Sequence, residues 1–295
     1  MAKSTKPTRA MRNSVVFLVT FIVFLVLFGG VMAFGLSEFW RQSSQNETEP
    51  TEPIAPTSSS PGFTTADTRR LLLITEDNGA AQGFILLSAE PASARIRATA
   101  LPRETAVTVG TTQTRLFELY RTGGTAAVTE RVGDLLGVSV DNTAVITYEG
   151  IQRLVTYLGD GVIFTLSESV SYENADGATV TMKSGARTLS AAQVTDLLAY
   201  DGWNGGRYAR ARVQGEMVEA MLNQYLLPSR FDERDTDFQA IMSFWRSDIL
   251  ASQFASARDG LLFLARRNQN DICTLTVPAG EFVGAGDAVR FEPAG

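Results

Sequence analysis

The segment "RYARARVQ", Arg207 to Gln214, places three arginines within six residues of a chain whose formal net charge is −6. Guanidinium groups are planar forks of donors that suit phosphate and carboxylate oxygens. If the segment is helical, Arg207, Arg210 and Gln214 share one face, within about 60° of each other at about 100° per residue. Arg212 then points away by roughly 140–200° and reads as a solvated charge. Two further polar residues stand where strands end. Asp77 closes the apolar run "RRLLLITED", and Arg103 follows Pro102 after the alternating stretch "ARIRATAL". Strand ends are where α/β sheets build ligand sites. These types and places suit an anion site with a carboxylate at its border.

Other chemistry is excluded. The 295 residues contain no histidine and one cysteine, Cys273. Ser-His or Cys-His nucleophilic catalysis and histidine-ligated zinc therefore fall away. Cys273 lies in the strand-like "DICTLTV" and reads as a buried structural residue.

The elements that must position the anion site follow from periodicity. "RRLLLITED", "QGFILLSAEP" and "ARIRATAL" read as strands, and "TRLFELYRTGG" as a short helix ended by glycine. "TAAVTERVGDLLG" is an amphipathic helix, "NTAVITYEG" a strand, and "IQRLVTYLGDG" a helix with a Gly-rich end. "VIFTL" is a further strand, "YENADGATVTMKSG" a hairpin around Asp176-Gly177, and "LSAAQVTDLLAY" a helix capped by Ser190. The Arg207 segment opens the next helix. One more helix, "FQAIMSFWRSDILASQFASA", and two late strands, "CTLTV" and "VRFEP", complete the order. Strands alternating with helices give an α/β fold with a mixed central sheet flanked by helices.

A different solvent is expected for the N-terminus. Residues 1–12 form a short basic tail containing Lys3, Lys6, Arg9 and Arg12, followed by 25 uncharged residues, 13–37. That run is long enough for one transmembrane helix and too long for the apolar part of a cleaved signal. The basic flank places the tail in the cytoplasm. Residues 38–66 are rich in Ser, Thr, Pro and Glu and read as an extended linker. Residues 67–295 are then an extracytoplasmic domain on a single-pass anchor in the cell membrane. Without the four basic residues of the tail, 22 Lys and Arg face 32 Asp and Glu, a net charge near −10. Such a domain has no general basic field for nucleic acid.

The ordered set of these pieces resembles the LytR-CpsA-Psr family of membrane-anchored envelope proteins. The resemblance covers roughly Arg70 to Leu226. It is carried by the strand ending in Asp77, by "FILLSAEPASARIRATALPRET", "FELYRTGG" and "LSAAQVTDLLAY", and most specifically by "VGDLLGVSVDNTAVITYEGIQRLVTYLGDGV". It implies an outer α/β domain that binds a polyprenyl-pyrophosphate-linked glycopolymer. Arginines and Mg²⁺ would hold the pyrophosphate, and an apolar pocket the lipid. The implied reaction moves the glycosyl phosphate to a peptidoglycan hydroxyl and releases polyprenyl phosphate.

By the same resemblance Arg103 and Arg210 would be catalytic, Gln214 substrate-binding and Asp77 a metal ligand; Arg207 stands where an aspartate is expected and, on the same helix face, would be an added substrate-binding charge. The match is partial. Gly83 stands where a second aspartate is expected, Glu104 replaces an aspartate, and Val213 replaces an arginine. Tyr200 is followed by Asp201, Gly202 and Trp203 where two further arginines are expected. Three readings therefore stay open: a phosphotransferase weakened or inactivated by these substitutions, a non-catalytic module that binds an envelope lipid or partner protein, and a purely structural tethered module.

Overall fold

A computed structural model describes residues 62–294 apart from 160, 175–176 and 230–235. The tail at 1–12, the helix at 13–37 and the linker up to residue 61 lie outside the described residues. Among the described residues no helix is long and apolar enough to cross a membrane.

The first two strands, β1 (Arg69–Asp77) and β2 (Ala80–Glu90), pair antiparallel through a two-residue turn at Asn78 and Gly79. Both turn residues have positive φ, 48° and 78°, the geometry that an Asn-Gly pair adopts most readily in a tight hairpin. β3 (Arg95–Leu101) pairs antiparallel with β2, while β6 (Asn142–Thr147) runs parallel to β1. With β11 (Trp245–Ser247) beside β6 and β12 (Cys273–Thr276) beside β3, the order is β11-β6-β1-β2-β3-β12. The sheet is mixed, as the alternating elements imply.

β1 is apolar throughout its centre because both of its faces are covered. Leu72 and Ile74 pack towards α1 (Leu116–Leu136), with Phe84, Val128 and Val132. Leu71 and Leu73 pack on the other face under α2 (Tyr148–Gly159), α3 (Ala191–Ala199) and α4 (Gly206–Tyr225), with Val155, Leu197 and Met217. The two predicted helices within 114–137 meet at Gly124, whose φ of 68° breaks α1. Ser190 caps α3 as expected: its Oγ accepts from the Gln193 N–H at 3.3 Å, and Gln193 Oε1 accepts from the Ser190 N–H at 3.0 Å. The expected hairpin is formed by β8 (Val170–Glu173) and β9 (Thr179–Met182).

The small ribbons lie outside the main sheet. β4 (Ala106–Val109) pairs with β5 (Thr112–Arg115), and β7 (Val162–Leu166) with β10 (Gly185–Leu189). Of the late segments, β12 completes the sheet, whereas β14 (Arg290–Pro293) pairs with β13 (Gly280–Val283) in a separate ribbon.

One expectation is corrected. The single helix over 238–257 is instead α5 (Thr236–Met242), strand β11 and α6 (Ala251–Arg267). Tertiary pairing overrides the helical pattern. β11 adds to the free edge of β6, and Asp248 Oδ1 accepts the Thr143 N–H at 2.8 Å. Gly150 leaves room for this crossing, because a Cβ there would overlap the Phe244 carbonyl oxygen.

α4 lies unusually close to the sheet. A Cβ at Gly215 would overlap Leu275 and sit 2.9 Å from Ala100 Cβ. Asn223, two turns further on, binds both backbone groups of Cys273 at 2.7 and 3.1 Å, fixing β12 to the helix. Cys273 is buried, and burial pushes its thiol up to about 12. Gly215→Val should push α4 off β3 and β12 and destabilise the domain by about 1–3 kcal/mol. A melting temperature unchanged from the parent chain would contradict this packing.

Candidate functional site

The direction of the strands gathers the polar residues at one end of the sheet. β1, β3 and β6 all point the same way, so Asp77, Arg103 and Tyr148 follow their carboxyl ends, where open α/β sheets place ligands. β2 begins at that same end, with an irregularity. Thr75 pairs with Gly83 and Glu76 with Ala81, leaving Gln82 as an extra residue in β2. A bulge of this kind re-aims a side chain.

Gln82 is aimed at two arginines. Arg103 Nη1 and Arg210 Nη2 each donate to Gln82 Oε1 at 2.8 Å. Arg103 also lies 5.2 Å over the Phe117 ring, and its Nε donates to Glu104 Oε1 at 3.2 Å. Glu104 is only 6% exposed, and Arg207 Nε approaches the same Oε1 at 3.5 Å. One buried carboxylate is thus shared by two guanidiniums. Arg210 Nη1 donates to Asp201 Oδ1 at 2.5 Å. Its Nε is buried without a partner.

Gln214 forms the floor. It is 3% exposed, and its Nε2 donates to the Gln82 carbonyl at 3.3 Å and the Leu198 carbonyl at 3.2 Å. Its Oε1 therefore faces Gly83 and Thr75. A Cβ at Gly83 would overlap Gln214 Oε1 and lie 2.9 Å from Thr75 Oγ1. The amide fills the space a side chain at 83 would need. Tyr148 adds a buried hydroxyl that interacts with the Arg210 guanidinium. Burial pushes its pKa up, the Arg210 guanidinium opposes that shift, and Asp77 and Asp201 add to it. These charges place Tyr148 beside the same cluster.

An apolar channel leads away from this end. A cavity of roughly 220 Å³ begins at Thr75 and Gln214 and continues between Leu73, Leu154, Met217 and Met221. A second, of roughly 440 Å³, adjoins it and reaches Arg69 and Arg70 at the start of β1. The two share Leu87, Leu222, Leu226 and Trp245. At about 3.3 Å per residue, the path from Thr75 to Arg69 is on the order of 20 Å.

Of the residues singled out in the sequence, Arg103, Arg210 and Gln214 therefore meet on Gln82. Arg207 meets them through Glu104. Asp77 stands at the Tyr148 side, where its Oδ1 accepts from Asn78 Nδ2 at 3.1 Å. Arg212 faces elsewhere and pairs with Glu216 at 3.6 Å. Val213 is a core residue, 1% exposed. Where the resemblance expects arginines after Tyr200 the chain has Gly202 and Asn204, and Asn204 binds Glu168; of their neighbours, Asp201 pairs with Arg210 and Trp203 packs edge-on to Tyr200.

Gln82 was missed because a bulge is a property of strand pairing, which spacing alone does not reveal. Tyr148 reads in the sequence as the end of the strand "NTAVITYEG"; in the structure it opens α2 instead, just past the end of β6. For magnesium, the carboxylates do not form a clamp. Glu104 is held by two arginines and Asp201 by one, and Gly83 supplies no acid. Asp77 alone remains, and among the described residues no group of three or more acids or cysteines could hold a metal.

The fold recurs in known structures. A protein of Eubacterium siraeum described as a transcription regulator superposes with a TM-score of 0.68 at 13% identity, covering 84% of this chain and 95% of its own. TagV of B. subtilis gives 0.66 at 14% identity, over 77% and 91%. A transcriptional regulator of Enterococcus faecalis gives 0.63 at 16%, over 77% and 82%. Among curated proteins none matches. The model of the LytR_cpsA_psr family matches residues 62–289, most of the sequence, and the chain belongs to the LytR-CpsA-Psr family.

Proposed function

We propose that this chain is a cell-envelope protein that takes a polyprenyl-pyrophosphate-linked glycan and transfers the glycosyl phosphate to a peptidoglycan hydroxyl. The observation that carries the reading is the meeting of Arg103 and Arg210 on one neutral oxygen of Gln82, a residue bound by Gln214 at the polar end of an apolar channel. Two guanidiniums around an amide oxygen are an incompletely neutralised pair. A phosphate oxygen is a stronger acceptor and would displace Gln82 Oε1. The lipid chain would occupy the channel beside Met217 and Met221, where burial of each CH₂ contributes about 0.8 kcal/mol.

In this reading the acceptor hydroxyl attacks the phosphorus that carries the glycan. The bond from that phosphorus to the bridging oxygen breaks, and polyprenyl phosphate departs with the electron pair. Arg103 and Arg210 neutralise charge on the phosphate oxygens as it develops. Asp77, on the Tyr148 side of the cluster, would take the hydroxyl proton. The membrane anchor over 13–37 would hold the domain near its lipid-linked substrate, with the N-terminus cytoplasmic and the folded part outside.

A second reading, of binding without transfer, is favoured by Val213. The position where an arginine is expected is committed to the core, so one source of transition-state charge is gone. The full-length chain, incubated with a polyprenyl-pyrophosphate glycan and peptidoglycan, should yield glycan covalently attached to the acceptor. Binding without any product would select the second reading. Arg210→Ala should lower the transfer rate about 10²–10³-fold. Met221→Trp should weaken binding of the lipid-linked substrate while leaving inorganic pyrophosphate binding unchanged. Equal loss of both would show that the channel does not carry the lipid.

A further inference from the structure

We infer that this chain binds its pyrophosphate without a divalent cation, the charge being met by guanidinium groups alone. The inference rests on the phosphate-site reading above and concerns how that site holds its anion. Three observations lead to it.

The first is steric. Position 83 carries no carboxylate, and the space beside it is taken by Gln214 Oε1, whose amide donates to the backbone carbonyls of Gln82 and Leu198. The acid expected there is absent, and the side chain next to Gly83 is a neutral amide whose oxygen is turned towards Thr75, a residue lining the channel.

The second is the disposition of charge. Arg103 and Arg210 stand one hydrogen bond apart from a common oxygen. A dication placed at that oxygen would be repelled by both, and in a partly buried site that repulsion is weakly screened. The single remaining carboxylate, Asp77, offers little to offset it. Magnesium also demands near-octahedral geometry and gives up its water reluctantly.

The third is Arg207. Its guanidinium lies against Glu104, the buried acid that also binds Arg103. With Arg207 sharing Glu104, the charge of Arg103 is only partly compensated and is available to a ligand. Arg207 is thus a positioning residue for Arg103, supplying from α4 a charge that leaves the cluster positive without a metal. The Tyr148 hydroxyl, beside the Arg210 guanidinium, is a further donor at the same place.

The test is calorimetric titration of the full-length chain with farnesyl pyrophosphate, in excess chelator and again in millimolar Mg²⁺. Affinities within about fivefold of each other are expected, since charge-assisted hydrogen bonds and not a metal provide the attraction. A loss of about fivefold or more on chelation would overturn the inference and leave the phosphate site standing. Absence of binding in both buffers would overturn the phosphate-site reading together with it. Arg207→Gln should weaken binding about tenfold in both buffers, with the melting temperature retained. An unchanged affinity in that variant would remove Arg207 from the account.

Discussion

Two positive groups held at 2.8 Å from one uncharged oxygen are the constraint around which this end of the protein is arranged. Like charges separate unless the surrounding structure forbids it. Arg103 is restrained by Phe117 beneath it and Glu104 beside it, and Arg210 by Asp201. The oxygen they share is delivered by a bulge, so the pairing of β1 with β2 has to be irregular between Thr75 and Glu76 for the arginines to meet there. α4 must also lie close enough to bring Arg210 within reach of β2. Its approach at Gly215, and the binding of Asn223 to Cys273, set that distance. The polar cluster thus depends on packing two turns away from it.

The same approach shapes the channel. α4 is held against β3 and β12, while α2 covers β6. Between them the sheet face at Leu73 and Leu87 stays incompletely filled. Well-packed cores seldom leave such space, since each missing methyl forfeits contacts. Its wall is made of Leu, Ile and Met, and its polar boundary is Thr75 and Gln214 at one end and Arg69 and Arg70 at the other. Thr75 is a useful marker: its hydroxyl is buried without a partner. The apolar channel and the polar cluster around Gln82 therefore adjoin at a defined pair of side chains.

Much of this was legible in the sequence because it is local. The apolar run of β1, the cap at Ser190 and the common face of Arg207, Arg210 and Gln214 each follow from a period or a short motif. So does the separation of Arg212, which pairs with Glu216 one turn along the helix. What was hidden involves distant partners. Gln82 carries no special signal until β1 is laid beside β2. The segment 245–247 scores as helix until β6 offers it an edge. Glu104 reads as a small departure from an aspartate until its carboxylate is found buried between two elements.

Glu104 and Val213 together suggest how the site changed as a unit. An arginine at 213 would have to leave the core between α4 and the sheet, where Val213 is 1% exposed. In its place, positive charge enters one face round, at Arg207. Glutamate is one methylene longer than aspartate, which lets a residue following β3 reach a guanidinium on α4 while still holding Arg103. At position 83 the expected acid is absent, and the amide oxygen of Gln214 lies against the glycine. Each substitution, taken singly, would leave a buried charge or a gap, either of which costs about 1–3 kcal/mol or more. Taken together they leave the described cluster packed and its acids paired. They also move the balance of the site from acids that would hold a cation towards arginines that can meet an anion directly.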